Sequence, residues 1–397
     1  MSAAHPRFDV KGWCPSALHP MESGDGLIVR IYPPAACLNR RQMQAIATAS
    51  ERYGNGCIDL TRRGNLQIRG AAPGTLGALY DELRAYDLLD DTPERVAMRH
   101  MLISPLAGID TSEVLDMRPL ARALAERLPT QRGGAELPAK FSIVLDGGGR
   151  LSLASERADI RAVACGAEAS TMIMIACGDD NWLGMTEPDN AATSICAIIA
   201  GEMPKLQPVE TLNVQNRYIK ATWGEILPFG TKGHVVGIGV PFGRLEAGQL
   251  RVLSEISAEL RPSPWRTLFI PASDFAIAEQ AMSTAREAGF AGVGDVRIHI
   301  QACPGRPACR SAHADTRTDA VVIARCMEAS GFEGTVHVSG CAKGCASSGP
   351  ADITLVGVPG GYRLMLHAAA RDEGGIVLEP ADIPERLNFL MQVSGHV

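Results

Sequence analysis

Lysine is scarce in this chain: of its 38 basic residues, six are Lys and 32 are Arg. A cationic excess is missing too, because 44 acidic residues leave a net charge of −6. That balance argues against a protein that coats nucleic acid. Long apolar runs are also absent. The longest, near Thr171–Cys177 and Ile195–Ala200, fall well short of the ~20 residues a helix needs to cross a bilayer. The opening MSAAHPRFDVKGWCPSALHP holds no apolar signal core, so a cytoplasmic location without membrane attachment is expected. Disorder is excluded, since 46% of the 397 residues are hydrophobic and 21% are charged. At ~100–200 residues per domain, two to three domains are expected. The eleven cysteines are an odd number, and a reducing compartment disfavours disulfides. Their spacing therefore points to metal or catalytic chemistry. The planar fork of the abundant arginine suits planar carboxylates, although codon bias alone would set the same ratio.

Two segments read alike. The first runs through the apolar strand Gly26–Ile31, then Leu38, Met43 and Ile46, then Leu60-Thr-Arg-Arg-Gly-Asn-Leu-Gln-Ile68. The second runs through Val235–Val240, then Leu245, Leu250 and Leu253, then Pro264-Trp-Arg-Thr-Leu-Phe-Ile270. Each reads as strand, helix, basic strand, with Arg266 in the place of Arg63. On a strand, Arg63, Asn65, Gln67 and Arg69 would share one face and Arg62 the other. Mixed segments follow each copy. The first has strands at 140–145 and 171–177 and a helix at 191–201. The second has helices at 275–288 and 319–330, strands at 297–302 and 335–339, and a hairpin about Pro359-Gly-Gly361. The simplest account is a two-fold repeat of half-domain plus mixed domain.

The chemistry sits in Cys303-Pro-Gly-Arg-Pro-Ala-Cys309 and, after a gap, Cys341-Ala-Lys-Gly-Cys345. Both pairs follow predicted strands and lie among small residues. Four thiolates in two such loops suit a 4Fe–4S cluster, and small neighbours let backbone N–H groups reach its sulfides. Zinc is the rival, although its pairs usually space more closely. The remaining cysteines read as small buried hydrophobes, Cys14 least securely. His19 and His234 could ligate a separate iron, but no carboxylate spacing supports that over ordinary histidines.

These features resemble the sulfite/nitrite reductase superfamily. Its Cys-x5-Cys and Cys-x3-Cys motif is matched by Cys303, Cys309, Cys341 and Cys345. Its Thr-x-Arg-x-x-x-Gln strand is matched by Thr61, Arg63 and Gln67. A later arginine is matched by Arg99, and a Leu-Pro-x-Lys-Phe motif by Leu137–Phe141, which includes Lys140. Departures from the reductases include Ser142, where they carry a second lysine, Lys343 between the last cysteines, and Ser104-Pro-Leu-Ala-Gly108. Together with Met21-Glu-Ser-Gly-Asp-Gly-Leu27 and Pro241-Phe-Gly-Arg-Leu245, they resemble the precorrin-3B synthase branch.

The resemblance implies an α+β fold. Two ferredoxin-like half-domains, 1–105 and 209–273, would pair into one central domain. Two mixed α/β domains, 106–208 and 274–397, would flank it, the last holding the cluster. It implies an O2-dependent monooxygenase that hydroxylates C20 of precorrin-3A and closes a γ-lactone. Electrons would come from ferredoxin or an NADH-fed reductase. Arg63, Arg99 and Lys140 would bind carboxylates or face the reacting ring. Arg62, Asn65, Gln67, Arg69 and Lys343 would complete the tetrapyrrole contacts. Oxygen would be activated at a mononuclear non-haem iron or on the substrate itself. In the reductases the last cysteine, matched by Cys345, bridges the cluster to siroheme. The alternatives are a siroheme-dependent sulfite or nitrite reductase, and a non-catalytic tetrapyrrole carrier, which would need no redox centre.

Overall fold

The computed structural model describes residues 16–92, 101–131, 141–166, 170–179, 181–209, 224–229 and 233–394. Arg99, Lys140 and Cys14 lie outside them.

The first part of the chain forms strands β1 (Met21–Ser23), β2 (Gly26–Ile31), β3 (Leu38–Asn39), β4 (Cys57–Leu60) and β5 (Leu66–Ala71), with helices α1 (Arg40–Tyr53) and α2 (Leu76–Arg84). Asn39 starts α1 with a capping box: its side chain accepts from the Gln42 N–H, while the Gln42 side chain accepts from the Asn39 N–H. The next part holds β6 (Met101–Ile103), α3 (Arg118–Gln131), β7 (Ile143–Asp146), β8 (Ile160–Cys165), β9 (Met172–Cys177), β10 (Asn181–Thr186) and α4 (Pro188–Ile199).

The same sequence of elements then recurs. Strands β11 (Ile226–Phe229), β12 (Gly233–Gly239), β13 (Arg244–Glu246), β14 (Glu259–Pro262) and β15 (Thr267–Ala272) surround α5 (Ala247–Ile256). Helix α6 (Phe275–Glu287), β16 (Ile300–Ala302), α7 (Thr316–Ser330), β17 (Val336–Ser339), β18 (Ala351–Val358), β19 (Gly361–Ala368), β20 (Ile376–Leu378) and α8 (Ile383–Ser394) complete the chain.

Four five-stranded sheets result. Two are antiparallel, with orders β1-β2-β5-β4-β13 and β11-β12-β15-β14-β3. Each half therefore gives a strand to the other: β3 pairs with β14, and β13 with β4. The apolar steps of both copies meet in one core, where Leu38, Met43, Ile46, Leu245, Leu250 and Leu253 are all fully buried. The other two sheets, β6 to β10 and β16 to β20, share one pattern. Their first three strands are parallel and their last two antiparallel. The strand Met101–Ile103 joins the second sheet although it precedes residue 105.

Two readings need correction. The segment 60–68 is not one strand, because Thr61–Asn65 is the turn between β4 and β5. Gly64 takes φ +65° there, and the Thr61 hydroxyl oxygen accepts from the N–H groups of Arg63 (3.3 Å) and Asn65 (3.1 Å). The face alternation of residues 62 to 65 is lost at this turn. Its duplicate runs from Ser263 to Thr267, where the Ser263 hydroxyl accepts from Trp265 and Thr267, both at 3.3 Å. The terminal backbone bonds also match, Thr61 N–H to Asn65 (2.8 Å) and Ser263 N–H to Thr267 (3.0 Å). The structural counterpart of Arg63 is thus Trp265, and that of Arg266 is Gly64.

Candidate active site

The cysteine loops leave the C-terminal ends of two adjacent parallel strands. β16 runs into Cys303 and β17, through Gly340, into Cys341. Backbone geometry holds these loops closely. The Gly340 N–H donates to the Cys303 sulfur at 3.2 Å, and the Thr316 hydroxyl donates to the Cys303 carbonyl at 2.6 Å. A Cβ on Gly340 would approach that of Ala312 to 2.6 Å, so only glycine fits between the loops.

All four cysteines line one cavity of about 610 Å³ between these loops and the outer face of the first sheet. Cys345 is exposed, yet the protein packed around its thiol pushes it up to about 11; Lys343 pulls it down, while Cys303, Cys341 and Cys309 push it further up. Four thiolates here need a positive centre among them, which iron supplies. Among the described residues, no three His, Cys, Asp or Glu side chains gather closely enough for a single metal ion. The donor set, four thiolates in two loops of small residues, suits a cluster.

The loop carrying Cys309 is tied to the half-domain through one carbonyl. The oxygen of Ala308 accepts from the Gly24 N–H (3.1 Å), the Ser23 hydroxyl (2.5 Å) and Arg69 Nη2 (2.9 Å). Gly24 is needed because a Cβ there would stand 2.1 Å from the Pro307 oxygen. This gives Met21-Glu-Ser-Gly-Asp-Gly-Leu27 a physical role: the β1–β2 hairpin docks on the cysteine loop. Arg69, 2% exposed, is engaged at every nitrogen. Nε and Nη2 hold Asp25 at 2.8 and 2.7 Å, and Nη1 holds Asp59 at 3.1 Å. Arg317 takes the other Asp59 oxygen at 2.6 Å. Arg69 thus enters the site as a clamp rather than as an open carboxylate fork.

The other sequence candidates separate. Arg62, Gln67, Arg69 and Lys343 line the cavity, whereas Arg63 and Asn65 are not in its wall. Arg63 lies near Glu156, whose carboxyl burial pushes up and Arg63 pulls back down. Asn65 is buried, with its Nδ2 unpartnered. Ser142 is buried too, and donates from both its N–H (2.8 Å) and its hydroxyl (3.0 Å) to Asp159.

Arg30, Arg310 and Arg317 also line the cavity and were missed. Arg30 was legible in principle: Val29 and Ile31 face the core, so Arg30 must face the other way. It lies directly across from Gln67; with the Gln67 amide turned so that its oxygen faces Arg30, that oxygen accepts from Arg30 Nη2 (2.8 Å) and Nε (3.1 Å). Among the described residues, seven basic and two acidic side chains line the cavity. Both oxygens of one acid, Asp59, are already taken, so the cavity favours an anionic guest.

Comparison with known proteins bears on this geometry. Residues 19–86 match the nitrite/sulfite reductase ferredoxin-like half domain, and residues 95–256 match the nitrite and sulphite reductase 4Fe-4S domain. A precorrin-3B synthase from Sinorhizobium sp is 32% identical over 91% of this chain and 83% of its own length. The chain belongs to the precorrin-3B synthase branch of the nitrite and sulphite reductase superfamily. It is an oxidoreductase. Within the superfamily, a chloroplastic ferredoxin–nitrite reductase from Zea mays is 25% identical over 90% of this chain and 72% of its own. The solved Mycobacterium tuberculosis NirA protein shares the fold, with a TM-score of 0.72 at 17% identity, covering 91% of this chain and 79% of that one. The superfamily fold of paired half-domains and two mixed domains is the one found here. Among the described residues no helix is long and apolar enough to cross a membrane.

Proposed function

We propose that the protein is a precorrin-3B synthase. In this reading it hydroxylates C20 of precorrin-3A with O2 and closes a γ-lactone from the ring A acetate. The supporting observation is a single cavity that joins four cysteines to an excess of basic side chains. Its volume, about 610 Å³, is in the range of small-molecule sites. A polycarboxylate tetrapyrrole meets both demands, since it is large and carries several negative charges.

Cys303, Cys309, Cys341 and Cys345 would hold the 4Fe–4S cluster, which when bound supplies electrons one at a time. Insertion of one oxygen atom, with the other leaving as water, takes two electrons from a donor. A ferredoxin or an NADH-fed reductase fits that need. Arg30, Arg62 and Arg310 would bind substrate carboxylates, and bidentate Arg–carboxylate bonds fix orientation as well as affinity. Gln67 orients Arg30, and Lys343 adds a positive charge beside the cysteines. Arg63, Arg99 and Lys140 belong to the proposal through the superfamily motif alone. The cytoplasm is the proposed location.

The test is to purify the protein without oxygen, record its absorption and extract any pigment. The expected result is an iron–sulfur shoulder without siroheme, and a product from precorrin-3A and O2 heavier by one oxygen atom. Extractable siroheme with turnover of sulfite or nitrite would replace this reading with the reductase.

A further inference from the structure

Behind the tetrapyrrole cavity lies a second one of about 620 Å³, and Arg62, Phe242, Arg266 and Ala346 line both. Arg266 in this partition has an unusual backbone. Its φ is +58°, a left-handed conformation that L side chains seldom adopt. The duplicate turn places Gly64 there, at φ +65°. The strained φ of Phe242 differs in kind, because its duplicate Ala35 is strained as well (56° and 49°). The fold therefore demands a left-handed residue at both turns, and only the second fills it with a large side chain. Strain kept in this way marks a side chain needed for its own sake.

The Arg266 side chain is built into its place. It packs on Gly243, where a Cβ would stand 2.9 Å from its Nε. Nη2 reaches the Ala346 carbonyl at 3.5 Å, while Nη1 is closed off from solvent with no partner. Its charge is poorly compensated. Burial, then Arg317 and Arg62, holds the guanidinium down at about 10. Of the groups that push it back up, Asp59 spends both oxygens on Arg69 and Arg317, which leaves Cys303. His337 is fully buried with neither ring nitrogen partnered, so it supplies no countercharge.

We infer that Arg266, with Arg62 beside it, is a carboxylate-binding subsite at the partition, seating one acid side chain of the tetrapyrrole. The inference rests on the tetrapyrrole reading and adds to it a residue that lines both cavities. A carboxylate in the cavity would meet the guanidinium at its Nη2 side, where the bond to the Ala346 carbonyl is long at 3.5 Å, and would add negative charge beside it.

The test is a fluorescence titration of the full-length protein with uroporphyrin, an eight-carboxylate porphyrin, alongside thermal melts. Arg266→Gly is the informative variant, because glycine is the duplicate's own residue and relaxes the backbone. It should melt no lower than the parent yet bind uroporphyrin at least ten-fold more weakly. Arg266→Lys, which keeps the charge without the fork, should fall between the two. Equal uroporphyrin affinity in the parent and in Arg266→Gly would overturn the subsite and leave the tetrapyrrole reading standing. A parent that binds no uroporphyrin would overturn both. If millimolar inorganic phosphate raised the melting temperature of the parent but not of Arg266→Gly, while uroporphyrin affinity stayed the same, the site would serve a free anion and the carboxylate assignment would fall.

Discussion

Arg30 and Arg69 project from neighbouring strands into the same cavity, yet they do different work. Arg69 is clamped by Asp25 and Asp59, whereas Arg30 meets the neutral amide of Gln67. Arg69→Ala should therefore act on stability first. It leaves Asp25 without its ion-pair partner and Asp59 with Arg317 alone, and breaking a buried pair in this way costs about 3–5 kcal/mol. Denaturant unfolding should show that loss, and an unchanged midpoint would remove Arg69 from the role of clamp. Cys309→Ser tests the cluster assignment. Serine is a poor iron ligand beside thiolate, so the variant should lose most of its iron and acid-labile sulfide. Retention of parental iron and sulfide would show that Cys309 is not a ligand.

Repeated elements have diverged in what their loops carry. In the last sheet, the loops after β16 and β17 carry the four cysteines. In the second sheet, the matching loops after β6 and β7 carry Ser104-Pro-Leu-Ala-Gly108 and Asp146-Gly-Gly-Gly149, with acids around them. Glu113 belongs to that acidic group. Its carboxylate accepts from the Gly108 N–H at 2.6 Å. Burial nevertheless pushes it up to about 7, Asp116 and Asp110 adding to the rise. The folded state then keeps a proton that the unfolded chain has released between the ordinary carboxylate value and pH 7. Stability from this group is complete below that ordinary value and is lost as pH rises through 7. Glu113→Gln should flatten the fall in unfolding free energy between pH 5 and 8. A parental slope in the variant would assign the dependence to other groups.

At the scale of the whole molecule, strand exchange makes the two halves one unit. β13 closes the edge of the first half's sheet and β3 that of the second. A fragment ending at residue 208 would expose β4 as an open edge and uncover half of the shared core, and open edges invite aggregation. It should be insoluble alone and recover when co-expressed with residues 209–397. A fragment that is soluble and gives a cooperative melt by itself would show that the exchange is dispensable. The cavity depends on the same arrangement, since its wall combines the first sheet with loops some 240 residues farther along the chain: Arg69 and the Ala308 oxygen it holds are 239 positions apart.

The sequence by itself determined the repeat, the apolar steps that became the shared core, and the four cysteines. Each is a local property: period, burial pattern, or spacing within a loop of small residues. Only the tertiary structure decided the rest. It showed the turn at Thr61–Asn65, which moves Arg63 out of the cavity wall, and it matched Arg266 to Gly64 rather than to Arg63. It separated the clamped Arg69 from Arg30, which no motif in the sequence marks. The reason is physical. A charge is neutralised by whatever folds against it, and for these arginines the partners come from other strands and from the far end of the chain.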